Sequence, residues 1–141
     1  MYYHIKVKFD LVNDLGKTVT KIEEYLVKDC LLHAEAESKG YEYASEYQLE
    51  NYDVTSVKRS NIREFINDEP TEVFDWNIYI ATICDMFIDE VSGKEKELKY
   101  HVGVYATSIA DATKLVHDYM KQGYDMKLTS VSKAKIVNIL E

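Results

Sequence analysis

Two short clusters of basic residues are the strongest candidates for binding chemistry in this sequence. Lys58, Arg59 and Arg63 follow one apolar segment, and Lys133 and Lys135 follow a similar segment in the second half. Ammonium and guanidinium groups pair with phosphate, and arginine does so with two parallel hydrogen bonds. If the clusters lie close together, they predict a site for a small phosphate-bearing, nucleotide-like ligand. The alternative is that they solvate a terminal helix.

Aromatic residues are the second candidate for binding. The chain has 12 Tyr and 1 Trp among its 141 residues, and Trp76 and Tyr79 stand at the start of a predicted strand, as Tyr2 and Tyr3 do earlier. Aromatic rings on a sheet can stack on nucleic-acid bases, and Tyr and Trp also anchor protein interfaces. We therefore include Trp76 and Tyr79 among the candidate ligand-binding residues. The alternative is that these rings close the edge of the core, with their polar atoms at the surface.

Recognisable catalytic and metal-binding motifs are missing from the sequence. It has no Gly-x-Ser-x-Gly elbow, no Walker loop and no glycine-rich dinucleotide fingerprint. No two histidines have the spacing of a helical metal site; they are His4, His33, His101 and His117. Cys30, at a predicted strand–helix junction, could have a lowered thiol pKa, and the many carboxylates leave a glycosidase-like or nuclease-like pair open. We predict a non-enzymatic protein with no catalytic residue, metal or cofactor.

The charge balance limits the partners. The chain carries 17 Lys and Arg against 25 Asp and Glu, a net charge of −8. Binding to duplex DNA depends on neutralising phosphates, so general DNA coating is disfavoured, although a local groove leaves single-stranded nucleic acid as an alternative. No run of about 18 apolar residues is present, and the first residues alternate with charges, unlike a signal peptide. We expect a cytoplasmic protein without a membrane partner.

The same short patterns occur twice along the chain, in the same order. Each half has an alternating apolar strand, a Gly-Lys turn, an Ala-x-Ala helix segment and a Thr-Ser-Val strand. The matching pairs are Gly16–Lys17 with Gly93–Lys94, Ala34–Ala36 with Ala110–Ala112, and Thr55–Val57 with Thr129–Val131. The shared order predicts a tandem duplication of one β-β-α-β unit.

The repeats set the expected organisation of the chain. Residues 1–66 form the first predicted repeat, residues 67–75 a linker with the only proline and four carboxylates, and residues 76–141 the second repeat. One repeat would leave part of its sheet uncovered, so we expect both to pack as one pseudo-symmetric α+β domain, a six-stranded sheet system with two helices. The apolar tails Ile62–Ile66 and Ile136–Leu140 are predicted as short helices or edge strands.

The two predicted helices carry different signals. Ser108 and Asp111 form a capping-box pattern at the start of the second helix, and Gly123 suits the position after its end. Its apolar face consists of Ala112, Leu115, Val116 and Tyr119. The predicted face of the first helix consists of Leu32, Ala36, Gly40, Tyr43 and Tyr47. Gly40 is expected to permit close packing, and the helix is unusually rich in tyrosine because Tyr41 adds a third.

Several of these segments together resemble a known family. They are Tyr25–Asp29, Ala34–Glu37, Thr55–Asn61, Trp76–Tyr79, Asp89–Lys94 and Val102–Ala112. The chain resembles an uncharacterised family, a domain of unknown function seen in gut Bacteroidetes, their mobile elements and their phages. The resemblance implies a small intracellular protein encoded by a phage or mobile element. It implies no known activity and no known site residues.

These observations favour a non-enzymatic binding protein. We expect an accessory factor of a phage or mobile element, of the anti-defence type, that binds a host protein or sequesters a small nucleotide-like ligand. A single-stranded nucleic-acid-binding protein is the alternative, and a structural or assembly protein is the second alternative. A homodimer is compatible with each of them.

Overall fold

The structure is a computed structural model that describes residues 1–70, 75–121 and 126–141, and alternating burial is clearest in the first strand. In β1, for example, Tyr3, Ile5 and Val7 are buried and the residues between them are more exposed, as expected for a strand with one face on a core. The elements are β1 Tyr2–Val12, β2 Thr18–Lys28, α1 His33–Glu46, β3 Glu50–Arg59, β4 Ile62–Phe65, β5 Asn77–Ile88, β6 Glu95–Ala106, α2 Ile109–Met120, β7 Met126–Lys133 and β8 Ile136–Leu140.

The chain forms two compact units with the same internal topology. Unit 1 contains residues 1–60 and 135–141, and unit 2 contains residues 61–134. The strand order is β3-β1-β2-β8 in unit 1 and β7-β5-β6-β4 in unit 2. In each sheet the first three strands pair antiparallel and the fourth pairs parallel with its neighbour. The protein is therefore a mixed α+β protein with two four-stranded sheets and two helices.

The last strand of each sequence half lies in the sheet of the other unit. β4 follows β3 of unit 1 but pairs with β6 of unit 2, and β8 follows β7 of unit 2 but pairs with β2 of unit 1. The apolar tails are predicted as short helices or edge strands, and both form edge strands. The expected six-stranded system is wrong, because these tails add one strand to each sheet.

Small residues bring α1 close to the sheet of unit 1. Ala36, Gly40 and Ala44 are its buried residues, and a Cβ on Gly40 would lie 2.9 Å from methyl groups of Ile5 and Val54. The predicted close packing at Gly40 is confirmed. The predicted face is wrong at both ends, since the side chains of Leu32 and Tyr47 are exposed while Tyr43 is half-buried.

The α2 helix has the N-terminal cap and the apolar face that the sequence predicts. The Ser108 hydroxyl oxygen accepts a hydrogen bond from the Asp111 N–H at 3.1 Å, and the Asp111 carboxylate accepts one from the Thr107 N–H at 3.2 Å. Ala112 and Val116 are buried against the sheet of unit 2, with Leu115 and Tyr119 partly buried beside them, which confirms the predicted face. Gly123 lies outside the described residues. In the ranges that are described, neither helix has the length and apolar character needed to cross a bilayer.

The hairpin turns and the edge strands also have matching features in the two units. Gly16 and Gly93 have φ values of 77° and 68° at the hairpin turns, a conformation that glycine adopts readily. In β3 the register shifts so that Thr55 is an extra residue, and in β7 it shifts in the same way at Thr129. The repeated Thr-Ser-Val motif therefore places a β-bulge in an edge strand of each sheet.

Candidate functional site

Three of the basic candidate residues lie in unit 1. Lys58 and Arg59 are exposed at the end of β3, and Lys135 is exposed just before β8. β3 and β8 are the two opposite edges of the sheet, three strand spacings or roughly 14 Å apart. Unit 1 therefore does not bring its own basic residues together around one ligand.

The other two basic candidates lie in unit 2 and are also separated. Arg63 is in β4 and Lys133 is in β7, the opposite edges of that sheet. The Arg63 guanidinium carbon lies 4.8 Å from the centre of the Tyr100 ring, a cation–π contact that holds the side chain against its own sheet. Within each unit, the basic residues thus line separate edges.

The two aromatic candidates are packed into unit 2. Tyr79 is 6% exposed and belongs to the core between the sheet and α2. Trp76 is half-buried, and its ring meets Tyr105 edge-on with the ring centres 5.1 Å apart. The Tyr79 ring therefore has little surface on which a base could stack, whereas part of Trp76 remains accessible.

Surface tyrosine is concentrated on unit 1. Of the tyrosines that the structure describes, only Tyr47 and Tyr52 are exposed, and Tyr41 and Tyr43 are half-buried beside them. All four lie on α1, directly after it, or on the neighbouring strand β3. The Tyr41 and Tyr52 rings lie together on the β3 side of α1, whereas Tyr43 contacts Tyr47 and Tyr25 of β2.

Exposed carboxylates of α1 and β3 define, together with Tyr41 and Tyr52, a surface that we call the acidic–tyrosine face. Its members are Glu37, Tyr41, Glu42, Glu46, Tyr52 and Asp53, of which all but Tyr41 are exposed. The Tyr41 hydroxyl donates a hydrogen bond to Asp53 Oδ1 at 2.6 Å, and the Tyr41 and Tyr52 ring centres are 6.2 Å apart. The bond to Asp53 raises the pKa of the Tyr41 phenol, so the phenol stays protonated and keeps the two elements joined.

The positions of the carboxylates on α1 lower the stability of the helix. Glu42 and Glu46 are four residues apart, so like charges are neighbours on the helix surface. The last turn of α1 carries no basic side chain, although a helix C-terminus favours positive charge. Glu46 therefore increases the negative potential at this end of the helix. Local rules broken in this way are typical of functional sites.

The turn between α1 and β3 positions the face. Gln48 and Asn51 have φ values of 52° and 49°, a left-handed conformation that most side chains disfavour. Asn51 Nδ2 donates to Asp10 Oδ2 at 3.0 Å, and the Thr20 hydroxyl donates to Asp10 Oδ1 at 2.9 Å. These two bonds hold the pKa of Asp10 below its usual range. The Asp10 carboxylate of β1 thus holds the start of β3, directly after this turn, against the neighbouring strands.

A ladder of tyrosines supports α1 on its other side. The Tyr25 and Tyr43 ring centres are 4.7 Å apart, and those of Tyr43 and Tyr47 are 4.5 Å apart. The buried Tyr25 hydroxyl donates a short hydrogen bond to the Glu23 carboxylate. Burial and that bond raise the Tyr25 pKa far above its ordinary value. The ladder thus packs aromatic rings between α1 and β2.

Other candidate chemistry has no matching geometry. Burial raises the pKa of the Cys30 thiol, so the thiolate needed for nucleophilic attack is disfavoured. Cys30 lines an open cavity of about 480 Å³ with side chains of both charges, among them Lys28, Asp29 and Glu35. Across the three described ranges, no group of three His, Cys, Asp or Glu side chains could hold a metal ion.

Comparison with protein families places the whole chain. Residues 1–141 match the family described as "Domain of unknown function (DUF4494)". The chain belongs to the DUF4494 family. This agrees with the resemblance to an uncharacterised family. A search of curated proteins found no match.

The acidic–tyrosine face of this DUF4494 protein was not among the sequence candidates. Two signals for it were present in the sequence: the three tyrosines of the first helix, and the pair Glu42 and Glu46 without a basic residue after them. The sequence could not show that Tyr52 and Asp53 of β3 lie beside Tyr41, because a turn separates them along the chain.

Proposed function

We propose that this protein is a non-enzymatic binding protein whose acidic–tyrosine face binds a basic segment of a host protein. The observation that carries the proposal is the Tyr41 and Tyr52 rings beside the Asp53 carboxylate, on a surface to which α1 adds the exposed carboxylates Glu42 and Glu46. The charge of this surface calls for a partner rich in Lys or Arg. Steering by opposite charge would also speed association with such a partner.

The chemistry of the face favours arginine in the partner. A guanidinium group can bind a carboxylate with two hydrogen bonds and can also stack on an aromatic ring. Tyrosine provides contact area with little loss of side-chain entropy, and the Tyr41–Asp53 hydrogen bond fixes one ring in advance. An exposed carboxylate alone contributes little binding energy, so the proposed affinity comes from several carboxylates acting together with the rings.

The origin and architecture of the protein extend this proposal. We propose a tandem duplication, supported by the identical strand order of the two sheets and by the matching bulges at Thr55 and Thr129. The resemblance noted above supports a cytoplasmic accessory factor of a phage or mobile element, of the anti-defence type. An acidic protein that occupies basic surfaces of a host protein suits that role.

A nucleotide-like ligand or single-stranded nucleic acid is less well supported. The basic residues of each unit lie on opposite sheet edges, and Arg63 already packs on Tyr100. A structural or assembly role predicts large oligomers that grow with protein concentration, which size-exclusion chromatography with light scattering would detect.

The proposal is tested by binding of a fluorescent nine-residue arginine peptide, measured by anisotropy. We expect the double change Glu42→Lys and Glu46→Lys to weaken binding about tenfold or more, and Tyr52→Ala to weaken it by a further few-fold. The matched control is Glu95→Lys with Glu97→Lys, which makes the same charge change at exposed positions of β6 in unit 2.

Equal losses in the two double variants would show that the peptide responds only to net charge, and the proposed site would be wrong. A loss confined to the α1 variant supports it. Circular dichroism and thermal unfolding of each variant establish that the fold is retained before binding is compared.

A further inference from the structure

Part of β2 has an unpaired edge. β1 pairs with β2 along its whole length, from Val12 opposite Thr18 to Tyr2 opposite Lys28. β8 covers the other side only from Glu24 to Val27. In the part of the chain that the structure describes, no strand pairs with the outer side of Thr18–Glu23. We call this segment the β2 free edge.

The edges of β6, β3 and β7 carry protective features that the β2 free edge lacks. In β6 the matching segment is Glu95–Lys99, where charged side chains alternate in sign, and such charges discourage strand addition. β3 and β7 each contain a bulge. The β2 free edge has no proline and no bulge, and its sequence Thr-Val-Thr-Lys-Ile-Glu is rich in β-branched residues, which favour strands.

The only cation in the segment is already neutralised. Lys21 Nζ lies 3.2 Å from Glu23 Oε1, so it does not act as an isolated repelling charge. Val19 and Ile22 are 37% and 56% exposed and, being three residues apart, lie on opposite faces of the strand. An added strand would therefore meet one apolar side chain on each face.

The chemistry of the edge selects its occupant. Outward backbone N–H and C=O groups in a strand are satisfied by another extended backbone at about 4.8 Å spacing, not by a helix or a compact ligand. The segment is roughly 20 Å long, and pairing of so few residues covers well below the ~800 Å² per partner that a stable complex buries. A lasting homodimer through this edge alone is thus disfavoured.

We infer that the β2 free edge binds an extended peptide segment of a partner protein. This segment would pair with β2, in line with β8, and add a fifth strand to the sheet of unit 1. Alternate apolar residues of that segment would contact Val19 or Ile22. This surface lies on the strand edge opposite β1 and is chemically distinct from the acidic–tyrosine face. The inference therefore goes beyond the proposed function and can fail independently of it.

The test uses a neutral eight-residue peptide that alternates threonine with valine or isoleucine. Titration into the full-length, isotope-labelled protein is followed by amide NMR, with a second peptide that is N-methylated at alternate residues and cannot pair along one edge. We expect shifts centred on Thr18–Glu23 with the first peptide and binding at least about tenfold weaker with the second. Val19→Lys with Ile22→Lys should weaken binding by a similar factor, whereas Leu98→Lys on β6 should leave it unchanged.

Three outcomes would overturn the inference. They are equal binding of the N-methylated peptide, binding that survives Val19→Lys with Ile22→Lys in a folded variant, and a peptide-free dimer that disappears in that variant. The last result would assign the edge to a second copy. Because the peptide is neutral, Glu42→Lys with Glu46→Lys should not affect its binding, which separates this result from the test of the acidic–tyrosine face.

Discussion

The helices α1 and α2 occupy equivalent places in two units of the same topology, yet they are built differently. α2 begins at the capping residue Ser108 and has Asp111 in its first turn and His117 in its last, as the helix dipole favours. α1 follows Leu32, which makes no side-chain cap, and has Glu46 in its last turn. The comparison shows that α2 has the capping and charge pattern that stabilise a helix, whereas the end of α1 lacks them and carries part of the proposed binding surface.

The exchanged strands show a second difference between the units. In unit 2, Phe65 of β4 lies opposite Gly103 of β6, and a Cβ on Gly103 would be 2.6 Å from the Phe65 ring. In unit 1 the corresponding pair is Ile139 of β8 opposite Leu26 of β2. One unit combines a large and a small residue and the other combines two of medium size. The two units thus fill equivalent positions of the same topology with side chains of different sizes.

The largest expected effect comes from the exchanged strand of unit 1. Ile136 and Leu140 are both at most 9% exposed, and replacing each with Ala should cost about 2–5 kcal/mol. We expect the double variant to lose amide exchange protection in unit 1 before unit 2. Val137→Ala, at an exposed position of the same strand, should change stability by less than about 0.5 kcal/mol. Equal loss of protection in both units would contradict this account of β8.

The glycine of unit 2 provides the next test. Gly103→Ala forces the Phe65 ring to move, and overpacking of this kind costs about 1–3 kcal/mol. Phe65→Leu should recover part of that loss in the double variant, as expected for residues in contact. Gly40→Ala in α1 should cost less, because its 2.9 Å contacts are with two methyl groups and not with a ring at 2.6 Å, and Ala favours the helix by about 1 kcal/mol. Urea unfolding measures all four variants.

A smaller and opposite effect is expected at the end of α1. Glu46→Lys removes a like-charge neighbour of Glu42 and places a cation at the helix C-terminus, so it should stabilise the protein by about 0.3–1 kcal/mol while weakening the arginine peptide. In α2 the reverse change, His117→Glu, should destabilise. Thermal unfolding measures both, and a loss of stability in Glu46→Lys would show that this carboxylate has a structural role.

The smallest effect is a pH dependence in the α1–β3 turn. The pKa of Asp10 is below its usual range because Asn51 and Thr20 donate to the carboxylate. Its contribution to stability is therefore present above the unfolded pKa of about 3.9 and is lost as pH falls through the folded pKa. The Asn51 side-chain amide signal should follow this titration in NMR. This signal should lose its pH dependence in the variant Asp10→Asn. The comparison carboxyl is Asp89 of unit 2, whose pKa is lowered by Lys96.

Local signals in the sequence predicted much of the fold correctly. The hairpin glycines, the Ser108 cap and the apolar face of α2 follow from backbone conformation and helical spacing, which depend on neighbours along the chain. The face of α1 was partly wrong because Leu32 and Tyr47 fit the spacing but lie beyond the turns that touch the sheet. Its actual contact is made by Ala36, Gly40 and Ala44.

The candidate site was less accessible from the sequence. The basic residues recur in both halves, but recurrence places them at equivalent strand ends and does not show which edges meet. Tyr79 is a residue type that is common in binding sites, but its side chain is buried in the core. Whether it is buried depends on which face of β5 the helix covers. The acidic–tyrosine face needed Tyr41 and Asp53 to be adjacent, which only the turn at Gln48 and Asn51 brings about.

By itself, the sequence determined the element types, the turns and the repeated order of strands and helices, because these depend on local periodicity, capping and glycine conformation. Only the tertiary structure decided that β4 and β8 exchange between the two sheets and that part of β2 stays uncovered. The physical reason is that backbone hydrogen-bonding groups are the same at every strand edge. An apolar tail such as Ile136–Leu140 therefore encodes that it will pair as a strand, but its partner is chosen by packing at a distance along the chain.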